Sequence, residues 1–453
     1  MFENKTIHMI GISGISMSGI AEILLSNGVN ITGSTIELSK PAKRLQDKGV
    51  KITIGEDPSL VENADIVVYT AAISNNNSEL IRAKELGLPV YERAKFLGLM
   101  TKEYKNVICI SGTHGKSTTT GMVASCFLEA NLNPTIQIGA YLPKIDANYH
   151  VGNKDYFIME ACEYVDSFLS FFPTSEIILN IDNDHLDYFK NLDNIKKSFS
   201  KYAHLLPEDG KLVLNGDDKN TMDIDIPNNI NVLTYAINNN ADVIAKNITF
   251  DELGNSEFYV YYKEELFSKI KLNVLGIHNV YNALATISLC IMYNIDKNAI
   301  QKGLFEYKGV ERRFQLKGKL NNNVLIYDDY AHHPTEINST INSVKTIKHN
   351  KNWAVFQAHT YSRTKEHLND FANILKQFDN IIIAPIYAAR EINIYDIHEE
   401  DLVNLIKKEN NNVIFLESFE KIEEYLKTNT KENDLIITIG AGDINKVAEN
   451  LVK

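Results

Sequence analysis

Residues 110–118 read ISGTHGKST, a run whose side chains and spacing answer negative charge. Gly112 and Gly115 let a turn aim backbone N–H groups inward, Lys116 can reach terminal phosphates, and Ser117 offers a hydroxyl to Mg2+. The run NVICIS before them is short and apolar. After Lys116, Met122, Val123, Cys126, Phe127 and Ala130 form one apolar helical stripe. Strand, glycine turn and helix start together are the context a phosphate-cradling loop requires. Ile110 stands where the general GxxxxGK(S/T) pattern has its first glycine, so the loop is a shortened variant.

A metal-bound nucleotide needs further ligands, and two strand ends offer them. DYFIME closes on Glu160, whose carboxylate suits Mg2+; EIILNI is followed by Asp182, Asp184 and His185, and His185 could join a second ion or orient water. Asp182, Asp184 and Asp187 otherwise read as a solvated loop. On HNVYNALATIS, His278, Asn279 and Asn282 are spaced to share a helical face, and asparagine amides can pair with an adenine edge; helix capping by Asn279 is the competing reading. The opening turn GISGISMSG has Gly11 and Gly14, but Ser13 occupies the second glycine of GxGxxG. Bound NAD is therefore disfavoured, while a nucleotide diphosphate on the helix N-terminus, through Ser16 or Ser18, stays open. Late in the chain, DDYAHHPTEI follows VLIY and gathers Asp328, Asp329, Tyr330, His332 and His333 at one strand end, with Pro334 in the first turn of a helix. AHTYSRTKEH, AAREI and GAGD add His359, Arg363 and Arg390 to the same edge, a set suited to carboxylate or phosphate groups.

These groups need elements to hold them. A chain of 453 residues suggests about three domains, and 44% hydrophobic with 23% charged residues allows a well-buried interior. Apolar runs alternate with amphipathic stretches almost throughout, the pattern of mostly parallel sheets flanked by helices. We read three α/β units in series, 1–104, 105–309 and 310–453, the second with a β-rich insert over NVLTYAI and SEFYVYYKEELFSKIKLNV. Asparagine triplets at 75–77, 238–240 and 321–323 mark surface turns. The net charge of −12 argues against a nucleic-acid partner, so any anionic ligand must be held by local devices. Cys109, Cys126, Cys162 and Cys290 lie far apart without CxxC spacing, as reduced thiols would. With no leader-like or membrane-spanning run, a cytoplasmic protein without membrane insertion is expected.

GTHGKST, EACE, NIDNDHLDYF, GIHNVYNALA, GVERRFQ, DDYAHHPTEI and HTYSRTK, in this order across nearly the whole chain, resemble the Mur ligases, as does the opening HxxGIxGxxMSGIAE. The resemblance implies a Rossmann-like N-terminal domain for a UDP-substrate, a central ATP-binding P-loop domain and a Rossmann-like C-terminal domain. It implies cytoplasmic synthesis of a peptidoglycan precursor. ATP would phosphorylate the carboxylate of UDP-N-acetylmuramate, and L-alanine would attack the acyl phosphate, on a monomer or homodimer. Lys116 would stabilise the phosphoryl group, held with Gly112, Thr113, His114, Gly115, Ser117 and Thr118. Ser117 and Glu160 would serve Mg2+ and His185 a second metal site. His278, Asn279 and Asn282 would meet adenine, and Arg313, Asp328 and Tyr330 the ribose and phosphates. His332, His359 and Arg363 would position alanine or the substrate carboxylate, and Gly11, Gly14, Ser16, Ser18 and Thr70 the UDP part. Departures stand beside the match: Ser13 and Ser16 replace glycines, Thr35 an aspartate after the second strand, and Cys162 the aspartate of EADE. Phe199 falls where other members carry a carbamylated lysine. Rival readings are a ligase taking a tripeptide in place of alanine, a folylpolyglutamate synthase, a P-loop switch and, last, an NAD oxidoreductase.

Overall fold

The computed structural model describes residues 2–251, 254–389 and 391–453. Arg390 lies outside the described residues, as does the side chain of Asp187. By internal contacts the chain divides into two compact units: Met1–Asn247 with Phe258–Ile270 and Tyr281–Lys308, and Ile248–Glu257 with Lys271–Val280 and Gly309–Lys453. Among the described residues no helix is long and apolar enough to cross a membrane.

The first unit opens with β1 (Thr6–Ile10), β2 (Asn30–Thr35), β3 (Lys51–Ile54), β4 (Ile66–Tyr69) and β5 (Val90–Glu92), ordered β3-β2-β1-β4-β5 with parallel pairings. Strands covered by helices on both faces read as continuous apolar runs, and all but the first residue of β1 are buried. Strand order reverses between β1 and β4, so a ligand crevice should open at their carboxyl ends, where Gly11 and Thr70 follow.

A second sheet follows: β6 (Asn106–Ser111), β7 (Thr135–Leu142), β8 (Ala147–His150), β9 (Tyr156–Glu160), β10 (Ser175–Ile178), β11 (Lys211–Asn215), β12 (Asn231–Ala236), β13 (Val243–Phe250), β14 (Asn255–Tyr262) and β15 (Glu265–Leu275). Its order is β15-β14-β13-β12-β11-β10-β6-β9-β7-β8, and β6 pairs in parallel with both β9 and β10. The carboxyl end of β6 is thus flanked by those of its neighbours, which brings residues 110 onward beside Glu160 and the segment after Ile178. The β-rich insert expected over NVLTYAI and SEFYVYYKEELFSKIKLNV forms β12, β14 and β15, and β13 lies between them, where no strand was expected. The helix Lys116–Glu129 lies against Lys297–Glu306: a Cβ on Gly303 would come within 2.7 Å of Cys126 Cα, so this thiol packs at a backbone crossing. All four cysteines are free.

In the second unit β16 (Gln315–Lys319), β17 (Leu325–Asp329), β18 (Asn352–Phe356), β19 (Asn380–Ile383), β20 (Val413–Phe415) and β21 (Leu435–Ile439) are ordered β16-β17-β21-β18-β19-β20. Only the β16–β17 pairing among these is antiparallel. The parallel strands aim Asp329, Gln357 and Gly440 at one edge. Trp353, the one tryptophan of the chain, is buried in the apolar cluster on one face of this sheet, its indole N–H donating to Asp434 at 3.0 Å. Three sheets with covering helices make this the α/β architecture expected of the sequence.

One interior group runs against the pattern. Glu176 on β10 is fully buried, opposite the buried thiol of Cys109, and neither carboxyl oxygen has a hydrogen-bond partner. Burial pushes its pKa well above the ordinary carboxylate range. The unfolded chain therefore releases this proton at lower pH than the folded one, and stability falls with rising pH from the ordinary value up to the folded one. Glu176→Met is expected to raise the unfolding free energy more at pH 7.5 than at pH 5, by at least about 1.4 kcal/mol, the worth of one pKa unit; denaturant melts at the two pH values measure it.

Candidate nucleotide and ligation sites

In the first unit, β6 runs into Gly112 (φ 134°) and Gly115 (φ 88°), and the helix Lys116–Glu129 starts directly after. Both glycines are required twice over. Their φ values suit no side chain, and a Cβ would meet Leu179 Cβ at 2.9 Å from Gly112 or Asn282 Oδ1 at 2.7 Å from Gly115. Asn180, just past β10, stitches the turn: its carbonyl accepts Thr113 N–H at 3.0 Å, its Oδ1 accepts His114 N–H at 2.8 Å, and its amide donates to His114 O at 3.0 Å. Asp182 N–H donates to Thr113 Oγ1 at 2.9 Å, and His114 Nε2 lies 3.3 Å from Asp182 Oδ2. Two loop N–H groups are thus spent on Asn180. Helix geometry leaves those of Gly115, Lys116, Ser117 and Thr118 without intrahelical acceptors, the groups at a helix start that suit an anion.

The Lys116 ammonium is largely buried, 3.0 Å from Glu163 Oε2 and 3.0 Å from Thr113 O. Burial pulls its pKa down, but Glu163 with Cys162 and Glu160 outweighs it, and the lysine stays charged with a raised pKa. Glu160 is half-buried at the end of β9 and accepts Gly139 N–H at 2.6 Å. Ser117 is buried one residue into the helix. Hydroxyl and carboxylate oxygens are the donor set Mg2+ prefers, so Ser117 and Glu160 fit it. His185, at φ 54°, lays its ring against Tyr164 at 4.4 Å between centroids, with Asp184 Oδ2 3.7 Å from Nε2. Phe199 is fully buried edge-on to Phe168, so no carbamylated lysine serves there. Burial and Glu163 push the Cys162 thiol up. Asp166 accepts hydrogen bonds from Tyr188 at 2.7 Å and from Ser198.

At the first sheet, a Cβ on Gly11 would lie 2.7 Å from Thr70 Cγ2, which brings the two candidate substrate residues together. Gly14 is the N-cap of the helix Ile15–Ser26, and no side chain caps it. The Ser16 hydroxyl accepts from Gln137 at 3.0 Å and Arg93 at 3.3 Å. Ser18 is buried and donates to Ile15 O at 3.0 Å, so its hydroxyl serves the helix. Asn282 stands over Gly115, as noted above.

In the second unit, His278 lines a cavity of about 250 Å3 with Phe250, Ile277, Ser339 and Thr346. Burial, aided by Arg313, lowers its pKa to about 4. Asn279, inside the helix Ile277–Met292, donates its amide to Leu275 O at 2.7 Å, a local bond of the opposite sense to a cap, whose side chain would accept a helix-start N–H. Asp328 is fully buried and held by Arg312 at 3.2 Å and Thr438 at 2.6 Å; its carboxylate is committed to the fold. Its neighbour Asp329, pushed up to about 6 by burial, accepts from Thr340 at 2.6 Å. Arg312 and Arg313 lie 4.9 and 5.3 Å from the Tyr330 ring centre. His333 caps the helix Pro334–Val344, and Glu336 closes the capping box by accepting His333 N–H at 3.3 Å while also accepting His332 N–H at 3.0 Å. The His332 and His359 rings are 6.0 Å apart, and Arg363 lies 3.4 Å from His359 Nδ1. Burial lowers both pKa values, that of His359 to about 4 with His332 and Arg363 adding to it. Two neutral imidazoles therefore face a guanidinium.

Sequence reasoning gave no role to Glu163, Asn180 and Glu336, and saw in Glu391 only an ion-pair partner for Arg390, although all four lie inside quoted motifs. Glu391 receives the backbone N–H of Ser362 at 2.9 Å and its hydroxyl, and so fixes the start of the helix carrying Arg363. For Glu163 and Asn180 the available signal was a polar residue two or three positions beyond a strand end.

Models of the Mur ligase family match the chain at residues 6–105 (catalytic domain), 110–290 (middle domain) and 312–442 (glutamate ligase domain). The chain belongs to the Mur ligase family. It is similar to the UDP-N-acetylmuramate–L-alanine ligase of Caldanaerobacter subterraneus, 47% identical over 449 residues, covering 99% of this chain and 97% of the relative. The enzyme of the same name from Clostridium botulinum is 48% identical over 447 residues, at 99% and 97% coverage. Among solved structures, the UDP-N-acetylmuramate–alanine ligase of Thermotoga maritima superposes with a TM-score of 0.84 at 26% identity over 99% of this chain and 98% of that one. A murein peptide ligase of Psychrobacter arcticus shares the fold at a TM-score of 0.71 and 23% identity, over 99% of this chain and 98% of that one.

Removing Lys116 tests the site in two ways. Lys116→Ala should lower kcat by at least ~1000-fold, the scale for losing an electrostatic transition-state partner. It should also strand the buried Glu163 charge, costing roughly 3–5 kcal/mol. Lys116→Ala combined with Glu163→Gln should regain most of the thermal stability and none of the turnover.

Proposed function

We propose that the chain is a UDP-N-acetylmuramate–L-alanine ligase that uses ATP to make the first amide of a peptidoglycan precursor. A carboxylate is a poor acyl donor at neutral pH. Its oxygen attacks the γ-phosphorus of ATP, the bond to ADP breaks, and an acyl phosphate forms. The alanine amine then attacks the carbonyl carbon, phosphate leaves with the C–O bond electrons, and the amine proton is lost to a base. There is little covalent work for the protein, so positioning and charge neutralisation dominate.

In this reading the helix-start N–H groups of 115–118 and Lys116 hold the triphosphate, with Gly112, Thr113 and His114 shaping the turn. Ser117 and Glu160 hold Mg2+, which neutralises phosphate charge when bound, and His185 belongs to a second ion. Asn282, His278 and Asn279 face adenine; Arg313 and Tyr330 face ribose and phosphates, with Asp328 acting through Arg312. Gly11, Gly14, Ser16 and Thr70 receive the UDP part. Arg363 takes the alanine or muramoyl carboxylate; His359, whose Nδ1 accepts from Arg363, orients that guanidinium, and His332, whose Nδ1 faces Tyr330 O, offers its Nε2 lone pair to the incoming ammonium, both rings being neutral at working pH and so not repelling it. The domains are 1–104, 105–309 and 310–453, and the enzyme works in the cytoplasm as a monomer or homodimer.

What carries this reading is the strand edge with Arg363 beside two neutral histidines, in a chain whose relatives at 47% and 48% identity are named for L-alanine. The test is to supply ATP, Mg2+ and UDP-N-acetylmuramate, offer amino acids and the tripeptide singly, and weigh the products. ADP, phosphate and a UDP-muramoyl-alanine adduct are expected. An adduct with tripeptide alone assigns the chain to peptide recycling, and ATP hydrolysis without any adduct assigns it to a switch.

A further inference from the structure

Glu79, in the first turn of the helix Ser78–Glu85, is fully buried, and so is His8 on β1. The carboxylate takes three donors: His8 Nε2 lies 3.1 Å from Oε1, the Ser34 hydroxyl donates to Oε2 at 2.6 Å, and Asp57 N–H donates to Oε1 at 3.1 Å. On its far side His8 Nδ1 is 2.8 Å from the Thr32 hydroxyl. Burial pushes the Glu79 carboxyl up, but the bonds from His8, Ser34 and Asp57 outweigh it and keep it ionised. A carboxylate accepts only, so the His8 proton facing it sits on Nε2.

Four segments meet at this one anion: β1, β2, the segment after β3 and the helix after β4. Each leads to the carboxyl edge of the first sheet. The Ser34 carbonyl accepts Gly11 N–H at 2.9 Å and Ile12 N–H at 3.1 Å, so the residue that grips Glu79 with its hydroxyl holds the opening turn with its backbone. Thr70 packs on Gly11, and the segment it begins ends at Asn77, which caps the Glu79 helix by accepting Leu80 N–H at 2.9 Å. Well-packed apolar residues would serve stability as well as a buried polar cluster does, whereas fixed hydrogen-bond geometry defines a single arrangement.

We propose that Glu79, clamped by His8 and Ser34, is a positioning residue for nucleotide-sugar binding: it locks the Gly11 turn and the Thr70 segment in the arrangement that receives the diphosphate. This rests on the reading that the turn holds the UDP part. A preformed turn leaves less ordering to be done on binding, so the effect falls on substrate affinity.

The full-length enzyme carrying Glu79→Gln, Ser34→Ala or Gly14→Asp tests this by KM for each substrate, kcat, UDP-N-acetylmuramate titration calorimetry and thermal melts. Glu79→Gln should raise KM and Kd for UDP-N-acetylmuramate roughly tenfold, the scale of one charge-assisted hydrogen bond, with kcat and KM for ATP within about twofold. Ser34→Ala keeps the carbonyl and loses one donor, so a smaller rise of about threefold is expected. A lower melting temperature with unchanged KM, or equal rises in KM for both nucleotides, overturns the proposal. Should Glu79→Gln fail to fold, Ser34→Ala decides. Gly14→Asp separates the two readings, because aspartate is favoured at an N-cap yet puts a carboxylate where the diphosphate would sit. Undiminished UDP-N-acetylmuramate binding by Gly14→Asp overturns the site itself. Lost binding there with a normal KM in Glu79→Gln keeps the site and overturns the positioning role.

Discussion

A single buried ammonium, held by a single buried carboxylate, governs the central site. Lys116 keeps its charge inside the protein chiefly because Glu163 offsets the cost of leaving water, and the pair exists because β6 and β9 are neighbours with aligned carboxyl ends. The chain as a whole carries a net charge of −12, which repels phosphates at long range. Attraction must therefore be short-ranged: a lysine, a helix start and backbone N–H groups gathered within one turn. The strained glycines follow from the same requirement, since Asn282 and the segment after β10 close in where side chains would stand.

The second unit solves a related problem with different means. Its strand edge carries arginines, but the imidazoles among them are stripped of charge by burial. In the proposed reading an ammonium approaches a neutral ring where it would be repelled by a cation, while a carboxylate finds the guanidinium. Glu336 and Glu391 keep this balance. Each carboxylate receives backbone N–H groups at the start of a helix and so fixes where the neighbouring His332 or Arg363 begins.

Much of this was legible in the residues. The strand, turn and helix around 107–130 follow from an apolar run, two glycines and a helical stripe, and the GKS core names its own ligand class. The α/β class was legible because buried parallel strands are unbroken apolar stretches, as in VICI at 107–110 and III at 381–383. Short strands such as β3, β5, β8 and β20 were not, since three or four residues carry no periodicity. Sequence spacing also could not show which polar groups are already engaged. Ser18 and Asp328 look like ligand residues by type, yet one bonds its own helix and the other an arginine. Asn180 and Glu163 looked unremarkable singly and hold the phosphate turn together. Those distinctions arise from contacts between segments far apart in the chain.

The placement of Trp353 has a spectroscopic consequence. The chain has 22 tyrosines and 19 phenylalanines spread through it, but indole emission excited near the red edge comes from one ring, fixed in the sheet of the second unit by Asp434. That emission is a private reporter for the second unit, blind to the phosphate turn of the first. Compared with circular dichroism, which sums all three sheets, it would reveal whether the two halves of this chain melt in concert or apart.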